Sequence, residues 1–172
     1  RRVDADADGL VDPQQFASMV DSHTALVSVI HAQNEIGTIQ PIAEIADIAK
    51  AHGALMHADA AQSVGKLNVD VNAMGVDLLS IAGHKLYAPK GIGALYVRRG
   101  IDVPSVLVGA GQEHGRRPGT ENVAFIVALG EACRLARTKL SATTLHMTQM
   151  RDRLLAQLHA DIPDLLLAGH PT

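Results

Sequence analysis

The chain has 172 residues, of which 47% are hydrophobic and 19% charged, with a formal net charge of −3 at pH 7. This composition is typical of one folded domain with a hydrophobic core and excludes a disordered chain. The small negative charge gives no electrostatic reason for nucleic-acid or anionic-lipid binding, and no apolar run approaches the roughly 20 residues that span a bilayer. Cys133 is the only cysteine, so no internal disulfide is available and a reducing, cytoplasmic setting is expected.

Both ends of the chain are expected to be cut from a longer protein. The chain begins with Arg1 rather than Met and ends in the run LLLAGHPT, which has no obvious terminal cap. The acidic stretch after Arg2 lacks the apolar region of a secretory signal. We therefore expect a fragment that lacks both ends of its parent protein.

The first predicted elements are a strand and a helix. Residues 25–31 form a continuous apolar run rich in β-branched side chains, which predicts a strand buried on both faces. Pro41 is suited to a first helical turn, isoleucines follow at helical spacing, and Gly53 is placed to end the helix.

Further strands are predicted at 54–59, 76–82 and 93–98, with another possible at 103–108. Because a strand, a helix and a strand follow one another, the fold class is predicted to be α/β, with a mostly parallel sheet flanked by helices.

From Glu121 onward the pattern changes to a long helix. One face is predicted to carry Val123, Ile126, Val127 and Leu135. An apolar stripe then continues to Pro163 through Leu140, Met147, Leu154, Leu158 and Ile162.

Polar clusters follow three of the predicted strands, namely HAQNE from His31, HADAAQ from His57 and GHK from Gly83. In an open parallel sheet, reactive groups collect at the carboxyl ends of strands. Lys85 at such a position is either an amine nucleophile or a solvated loop lysine. Asp59 is either a partner for a protonated ring nitrogen or a loop acid or helix cap.

Four runs in order resemble consecutive motifs of the cysteine desulfurase and selenocysteine lyase family. They are HAQNEIGTIQPI, HADAAQSVGKLNVDV, VDLLSIAGHKLYAPKGIGALYVRRG and GAGQEHGRRPGTEN, and the similarity covers roughly residues 20–137. The family is a class-V aminotransferase-like group of fold-type-I enzymes that depend on pyridoxal 5′-phosphate (PLP). The resemblance implies removal of sulfur from L-cysteine, giving L-alanine and an enzyme persulfide for iron–sulfur cluster or thio-cofactor assembly. It also implies a homodimer and a sulfur-acceptor protein.

The resemblance also implies residue roles on the cofactor ring. Lys85 would be the catalytic residue, which carries PLP and later moves the proton of the substrate α-carbon. Asp59 would pair with the pyridine nitrogen, and Gln62 would donate a hydrogen bond to the phenolic oxygen. Asn34 would lie near that oxygen and the substrate carboxylate.

The phosphate would be bound by His84 and, in the other subunit of the homodimer, by Thr120. Thr120 is also suited to be the N-cap of a helix that starts at Glu121, where an anion is favoured. Ala82 departs from the serine common in the desulfurases, so one phosphate contact is expected to be missing. Selenocysteine lyases tend to have an apolar residue there, which leaves the choice between sulfur and selenium open.

Two domains are expected on the same grounds. Residues 1–137 would be part of the large PLP-binding domain, and residues 138–172 would be a linking helix and the start of a C-terminal small domain. The thiol nucleophile, the upstream phosphate loop and the downstream arginine that binds substrate are not in this sequence. The chain alone is therefore expected to be inactive and to bind PLP poorly. The alternatives are a selenocysteine lyase, another class-V enzyme without sulfur transfer, and a truncated non-catalytic module that supplies Thr120 to a complete subunit.

No metal site is expected. The segment from Asp4 to Asp12 resembles the start of a calcium loop, but Gln15 stands where the bidentate carboxylate is needed, and a loop capped by Asp12 explains it better. A zinc site of three strand-end histidines with Asp59 is disfavoured because no pair has helical ligand spacing. Cys133 is expected to be a small core residue rather than the sulfur-accepting nucleophile.

Overall fold

A four-stranded sheet organises the chain, which a computed structural model describes over residues 1–171. In chain order, the elements are α1 (Pro13–Met19), β1 (Leu26–Ile30), α2 (Ile42–Ala51), β2 (Leu55–Asp59), β3 (Leu78–Ala82), β4 (Gly93–Val97) and α3 (Val123–Asp161). Short 3-10 helices lie at Gly83–Leu86 and Gln112–Gly115.

The strands are arranged in the order β1-β2-β3-β4. The pairs β1–β2 and β2–β3 are parallel, and β4 is antiparallel to β3. The prediction of a mostly parallel sheet with flanking helices is therefore confirmed. Asp59 is paired with Ile30 on one side and Ser80 on the other, so the carboxyl ends of the parallel strands lie side by side.

One face of the sheet is packed against α2 and forms the main core. The core side chains alternate along each strand and include Val27, Val29, Met56, Ala58 and Leu79 from the sheet and Ile42, Ile45, Ala46 and Ala49 from α2. The apolar face of α2 is thus the buried one, as the spacing of its isoleucines predicts. Gly53 follows the helix with φ 75°, a left-handed conformation typical of the residue after a helix end.

We call the opposite side the open face. Strand register places on it Leu26, Ser28, Ile30, Leu55, His57, Asp59, Leu78, Ser80, Ala82 and Leu95. Leu26 is 48% exposed and Leu95 51% exposed, because within residues 1–171 no helix packs over this side of the sheet. The prediction that β1 is buried on both faces is therefore wrong for the described residues.

The N-terminal loop is fixed by its own aspartates. Asp12 is the N-cap of α1 and accepts a hydrogen bond from the Gln14 amide at 2.8 Å, as predicted. Asp6 accepts from the amides of Asp8 and Leu10, both at 2.9 Å. These carboxylates therefore stabilise the turn and the helix start.

Helix α3 differs from its prediction at its start and in its buried face. Asn122 is the N-cap and accepts from the Phe125 amide at 3.2 Å, so Thr120 does not cap the helix. Leu129 and Ala132 are buried, whereas Val127 is 66% exposed. The prediction chose the wrong face because α3 packs on the 3-10 helix Gly83–Leu86 from one side near its start.

Residues 103–108 form no strand. Pro104 has no amide hydrogen to donate to a ladder, and Val106 and Val108 are 94% and 101% exposed. The prediction of a further strand at residues 103–108 is therefore wrong. Across residues 1–171, no helix combines the length and apolar character needed to cross a lipid bilayer.

Candidate functional site

The polar clusters that follow β1, β2 and β3 meet at one edge of the sheet. The His31 amide donates to the Asp59 carbonyl at 2.8 Å, and the Ala60 amide donates to the Ser80 carbonyl at 3.0 Å. These bonds continue the ladder past the strand ends. They bring Asp59 beside the segment that leads from Ser80 to Lys85, as the strand-end argument predicts.

Asp59 has one carboxylate oxygen engaged and one available. Its Oδ1 accepts a hydrogen bond from the Ala61 amide at 2.9 Å, which fixes the carboxylate against the following turn. Its Oδ2 has no hydrogen-bond partner within residues 1–171. The half-buried carboxylate is thus able to accept a bond from a cationic N–H group.

Gln62 is oriented by Lys66, a residue that the sequence reasoning missed. Lys66 Nζ donates to the Gln62 backbone oxygen at 2.8 Å and lies 3.4 Å from its Oε1. Because an ammonium only donates, the amide oxygen faces Lys66 and the amide NH₂ is left for an acceptor. Burial, and next the positive charge of Lys85, lower the pKa of Lys66. The available signal was a lysine four residues after Gln62 in the HADAAQSVGK run.

His84 and Lys85 lie on the 3-10 helix Gly83–Leu86, which is anchored at both ends. A Cβ on Gly83 would lie 2.6 Å from the Ile92 carbonyl oxygen, so the close approach requires glycine there. Leu86 is buried against α3. Between these anchors both His84 and Lys85 are exposed, so their side chains are accessible to a ligand.

Tyr87 ends that 3-10 helix in the left-handed region, with φ 64°, and its side chain is 99% exposed. Left-handed backbone at a non-glycine residue costs on the order of 1–2 kcal/mol. The backbone directly after Lys85 is therefore held in a sparsely populated conformation.

His31 and His57 are hydrogen-bonded to serines. His31 Nδ1 lies 2.9 Å from Ser63 Oγ, and burial lowers the pKa of His31. His57 lies between Ser28 and Ser80, at 2.8 Å from each hydroxyl. In the part of the chain that the structure describes, no group of three or more His, Cys, Asp or Glu side chains is arranged to hold a metal ion.

Asn34 is exposed on the loop after β1, and Thr120 is exposed in the segment before α3. Within residues 1–171, neither side chain forms a hydrogen bond with Asp59 or Gln62. The Asp59–Gln62 turn and the His84–Lys85 turn, by contrast, are neighbours, since the Ala60 amide donates to the Ser80 carbonyl and Lys66 is close enough to Lys85 to sense its charge.

Cys133 is half-buried on α3 and packs against the cluster that holds Leu86. Burial raises the pKa of its thiol, which disfavours the reactive thiolate. This agrees with its prediction as a small core residue.

The model of the class-V aminotransferases matches residues 1–172. The chain belongs to this family. It is 43% identical over 164 residues to a cysteine desulfurase IscS of Dictyoglomus turgidum, covering 95% of this chain and 42% of that protein. It is 44% identical over 168 residues to a cysteine desulfurase of Klebsiella pneumoniae, covering 98% of this chain and 42% of that protein.

Solved structures of this family have the same fold. A NifS-like protein of Rickettsia africae matches with a TM-score of 0.91 and 30% identity, over 99% of this chain and 48% of that one. SspA, solved in complex with cysteine, matches with a TM-score of 0.72 and 44% identity, over 77% of this chain and 38% of that one. The chain spans about two fifths of the length of the curated relatives it matches.

Proposed function

We propose that this chain is the cofactor-binding part of a PLP-dependent cysteine desulfurase, which removes sulfur from L-cysteine and releases L-alanine. One observation carries the proposal. At a single edge of the sheet, Asp59 has a carboxylate oxygen available to a ligand, and the neighbouring 3-10 helix Gly83–Leu86 has an accessible Lys85. The names and identities of the matching desulfurases support the same reaction.

The residues at this edge fit PLP. The ring nitrogen needs an anion, for which Asp59 has a free oxygen, and the phenolic oxygen needs a donor, for which Gln62 has an oriented amide. The aldehyde needs an amine, supplied by Lys85. When bound, PLP supplies a conjugated ring that takes up the electrons released at the substrate α-carbon.

Each protein group then has a distinct task. Lys85 Nζ carries the cofactor and moves the proton of the substrate α-carbon. Asp59 keeps the ring nitrogen protonated, because an adjacent anion favours the cationic form. Gln62 would orient the phenolic oxygen, and Asn34 would lie near that oxygen and the substrate carboxylate.

His84 is proposed to bind the phosphate together with Thr120 from the second subunit of a homodimer. Thr120 is exposed, so its hydroxyl is accessible to a second subunit, which supports such a role. Ala82 offers no hydroxyl to the phosphate, so this subsite has one donor fewer than a serine would give it.

Cysteine is the proposed substrate, supported by the similarity to SspA, which was solved with cysteine. The thiol that takes the sulfur as a persulfide is a cysteine other than Cys133, whose burial raises its pKa. A sulfur-acceptor protein in the cytoplasm then receives it. Residues 1–137 are proposed to belong to the PLP-binding domain, and residues 138–172 to be a linking helix and the start of a C-terminal small domain.

The test uses the full-length protein with PLP, L-cysteine and an excess of a dithiol reductant, which releases the persulfide sulfur as sulfide, and it measures alanine and sulfide. We expect both products from the wild type, none from Lys85→Ala, and unchanged yields from Lys50→Ala, since Lys50 is exposed on α2. Selenide from L-selenocysteine without sulfide from cysteine would assign the protein as a selenocysteine lyase. Product formation that survives Lys85→Ala would overturn the proposal.

A further inference from the structure

His57 is a titratable residue with no part in the proposed reaction, yet it lies at the centre of the open face. Its Nδ1 is 2.8 Å from Ser28 Oγ on β1, and its Nε2 is 2.8 Å from Ser80 Oγ on β3. A line of three polar side chains thus crosses β1, β2 and β3. Each ring nitrogen has its hydrogen-bond partner within this line.

Asp59 is two residues further along the same strand and on the same face. Two residues of strand correspond to about 7 Å. Ser28 and Ser80 occupy both imidazole nitrogens, so His57 does not donate to Asp59. The Asp59 carboxylate therefore keeps an oxygen for a ligand.

The environment of His57 favours its neutral form. Burial lowers its pKa, and the negative charge of Asp59 opposes this to a lesser extent. The open-face residues of the flanking strands are Leu26, Ser28 and Ile30 on β1 and Leu78, Ser80 and Ala82 on β3, and none of them is charged. Among the open-face residues of β1, β2 and β3, Asp59 is thus the one that carries a charge beside this imidazole.

We propose that His57 is a positioning residue for Asp59: its bonds to the two serine hydroxyls keep both ring nitrogens away from the carboxylate, and as a neutral imidazole it reserves the Asp59 carboxylate for the protonated ring nitrogen of PLP. The proposal rests on the proposed PLP site. A protonated His57 would instead place a second cation beside Asp59 and repel the ring nitrogen. PLP affinity should therefore fall as the pH falls through the pKa of His57.

The test compares PLP dissociation constants of the full-length wild type and His57→Asn between pH 8 and pH 5, followed by cofactor absorbance. The ionisations of PLP itself are common to both proteins, so the ratio of the two constants isolates His57. We expect the wild type to lose up to about fiftyfold more affinity than His57→Asn over this range, which is the effect of two unit charges about 7 Å apart, the rise of the strand between His57 and Asp59, at an effective dielectric constant of about 20. His23→Asn, at an exposed histidine, should follow the wild type.

A second readout needs no cofactor. The ¹⁵N shifts of the His57 ring should report a neutral imidazole at pH 6.5, and Ser80→Ala should raise its pKa because the freed nitrogen becomes hydrated. The proposal would be overturned by an imidazole that is already half protonated at pH 6.5. It would also be overturned by a parallel pH dependence in wild type and His57→Asn while the ¹⁵N shifts show that His57 becomes protonated within this range. A wild type without PLP binding at any pH would instead contradict the proposed function, and this role of His57 with it.

Discussion

At the residue scale, the contact between Lys66 and Gln62 determines the orientation of the Gln62 side-chain amide in the site. The ammonium lies within reach of both oxygens of Gln62, and the backbone of Lys66 is itself held by Thr144 of α3, whose Oγ donates to the Lys66 carbonyl at 2.8 Å. The orientation of Gln62 therefore depends on a residue that never needs to touch the cofactor. A residue such as Lys66, which orients a ligand-binding side chain without binding the ligand, is hard to identify from a sequence motif and is identified from the folded structure.

We predict that Lys66→Met weakens PLP binding about tenfold, because a hydrogen bond to a charged group contributes about 1.5 kcal/mol or more. Titration of the full-length protein with PLP measures the change. Lys50→Met, which removes an exposed lysine from α2, is the matched control and should leave affinity unchanged. If Lys66→Met binds as tightly as the wild type while Gln62→Ala does not, Lys66 has no part in orienting Gln62.

At the element scale, the 3-10 helix Gly83–Leu86 depends on the two anchors that flank Lys85. Gly83→Ala would push a methyl group towards the Ile92 carbonyl oxygen, at 2.6 Å. We predict a loss of about 1–3 kcal/mol in the free energy of unfolding, the usual range for overpacking.

Gly130→Ala is the matched control for this substitution. Gly130 lies in α3, and nothing lies within 4 Å of an added Cβ. Urea unfolding should report stabilisation by about 0.5–1 kcal/mol, because alanine is the better helix former. An equal effect of the two substitutions would contradict the anchoring role of Gly83.

The buried face of α3 gives a separate test. We predict that Leu129→Ala costs about 2–4 kcal/mol, as for other buried leucines. Val127→Ala should change stability by less than about 0.5 kcal/mol, since Val127 is 66% exposed. A larger cost at Val127, measured by the same unfolding curves, would mean that the side of α3 predicted from the sequence is the packed one.

Some of these helices and strands could be predicted from the sequence, and some of their buried faces could not. The strands β2, β3 and β4 and the helix α2 were predictable, because local periodicity and glycine or proline boundaries determine them. The buried side of α3 was not, since the helix has apolar residues on several sides and only contact with Leu86 selects Leu129. The same holds for the exposed half of β1, where sequence alone does not reveal which faces are covered.

The candidate site likewise has features that could be predicted from the sequence and features that could not. The gathering of Asp59 and Lys85 at one edge followed from their places after parallel strands. The capping role expected of Thr120 failed because Asn122 satisfies the helix start instead. The hydrogen-bond line through His57 was not predictable, because it depends on the register that aligns Ser28 with His57 and Ser80 with Asp59.

At the scale of the whole molecule, the buried His31 and the half-buried His57 couple stability to pH. Burial lowers the pKa of His31 and of His57 below the ordinary 6.5. The unfolded chain therefore takes up protons before the folded one, and stability that is complete above pH 6.5 is lost as the pH falls towards the folded pKa values.

We predict a thermal midpoint that falls between pH 7 and pH 5 in the full-length protein. His23→Asn should retain this dependence, because His23 is exposed, whereas His31→Asn should reduce it. A midpoint that is constant over this range would contradict the neutral state of both histidines.

The central claim, that Lys85 is the residue that carries PLP, has one direct test. The full-length protein is loaded with PLP, reduced with borohydride and digested, and the modified peptide is located by mass spectrometry. We expect a pyridoxyl group on Lys85 and none on Lys66 or Lys90. Modification of either of those lysines, with Lys85 unmodified, would contradict it.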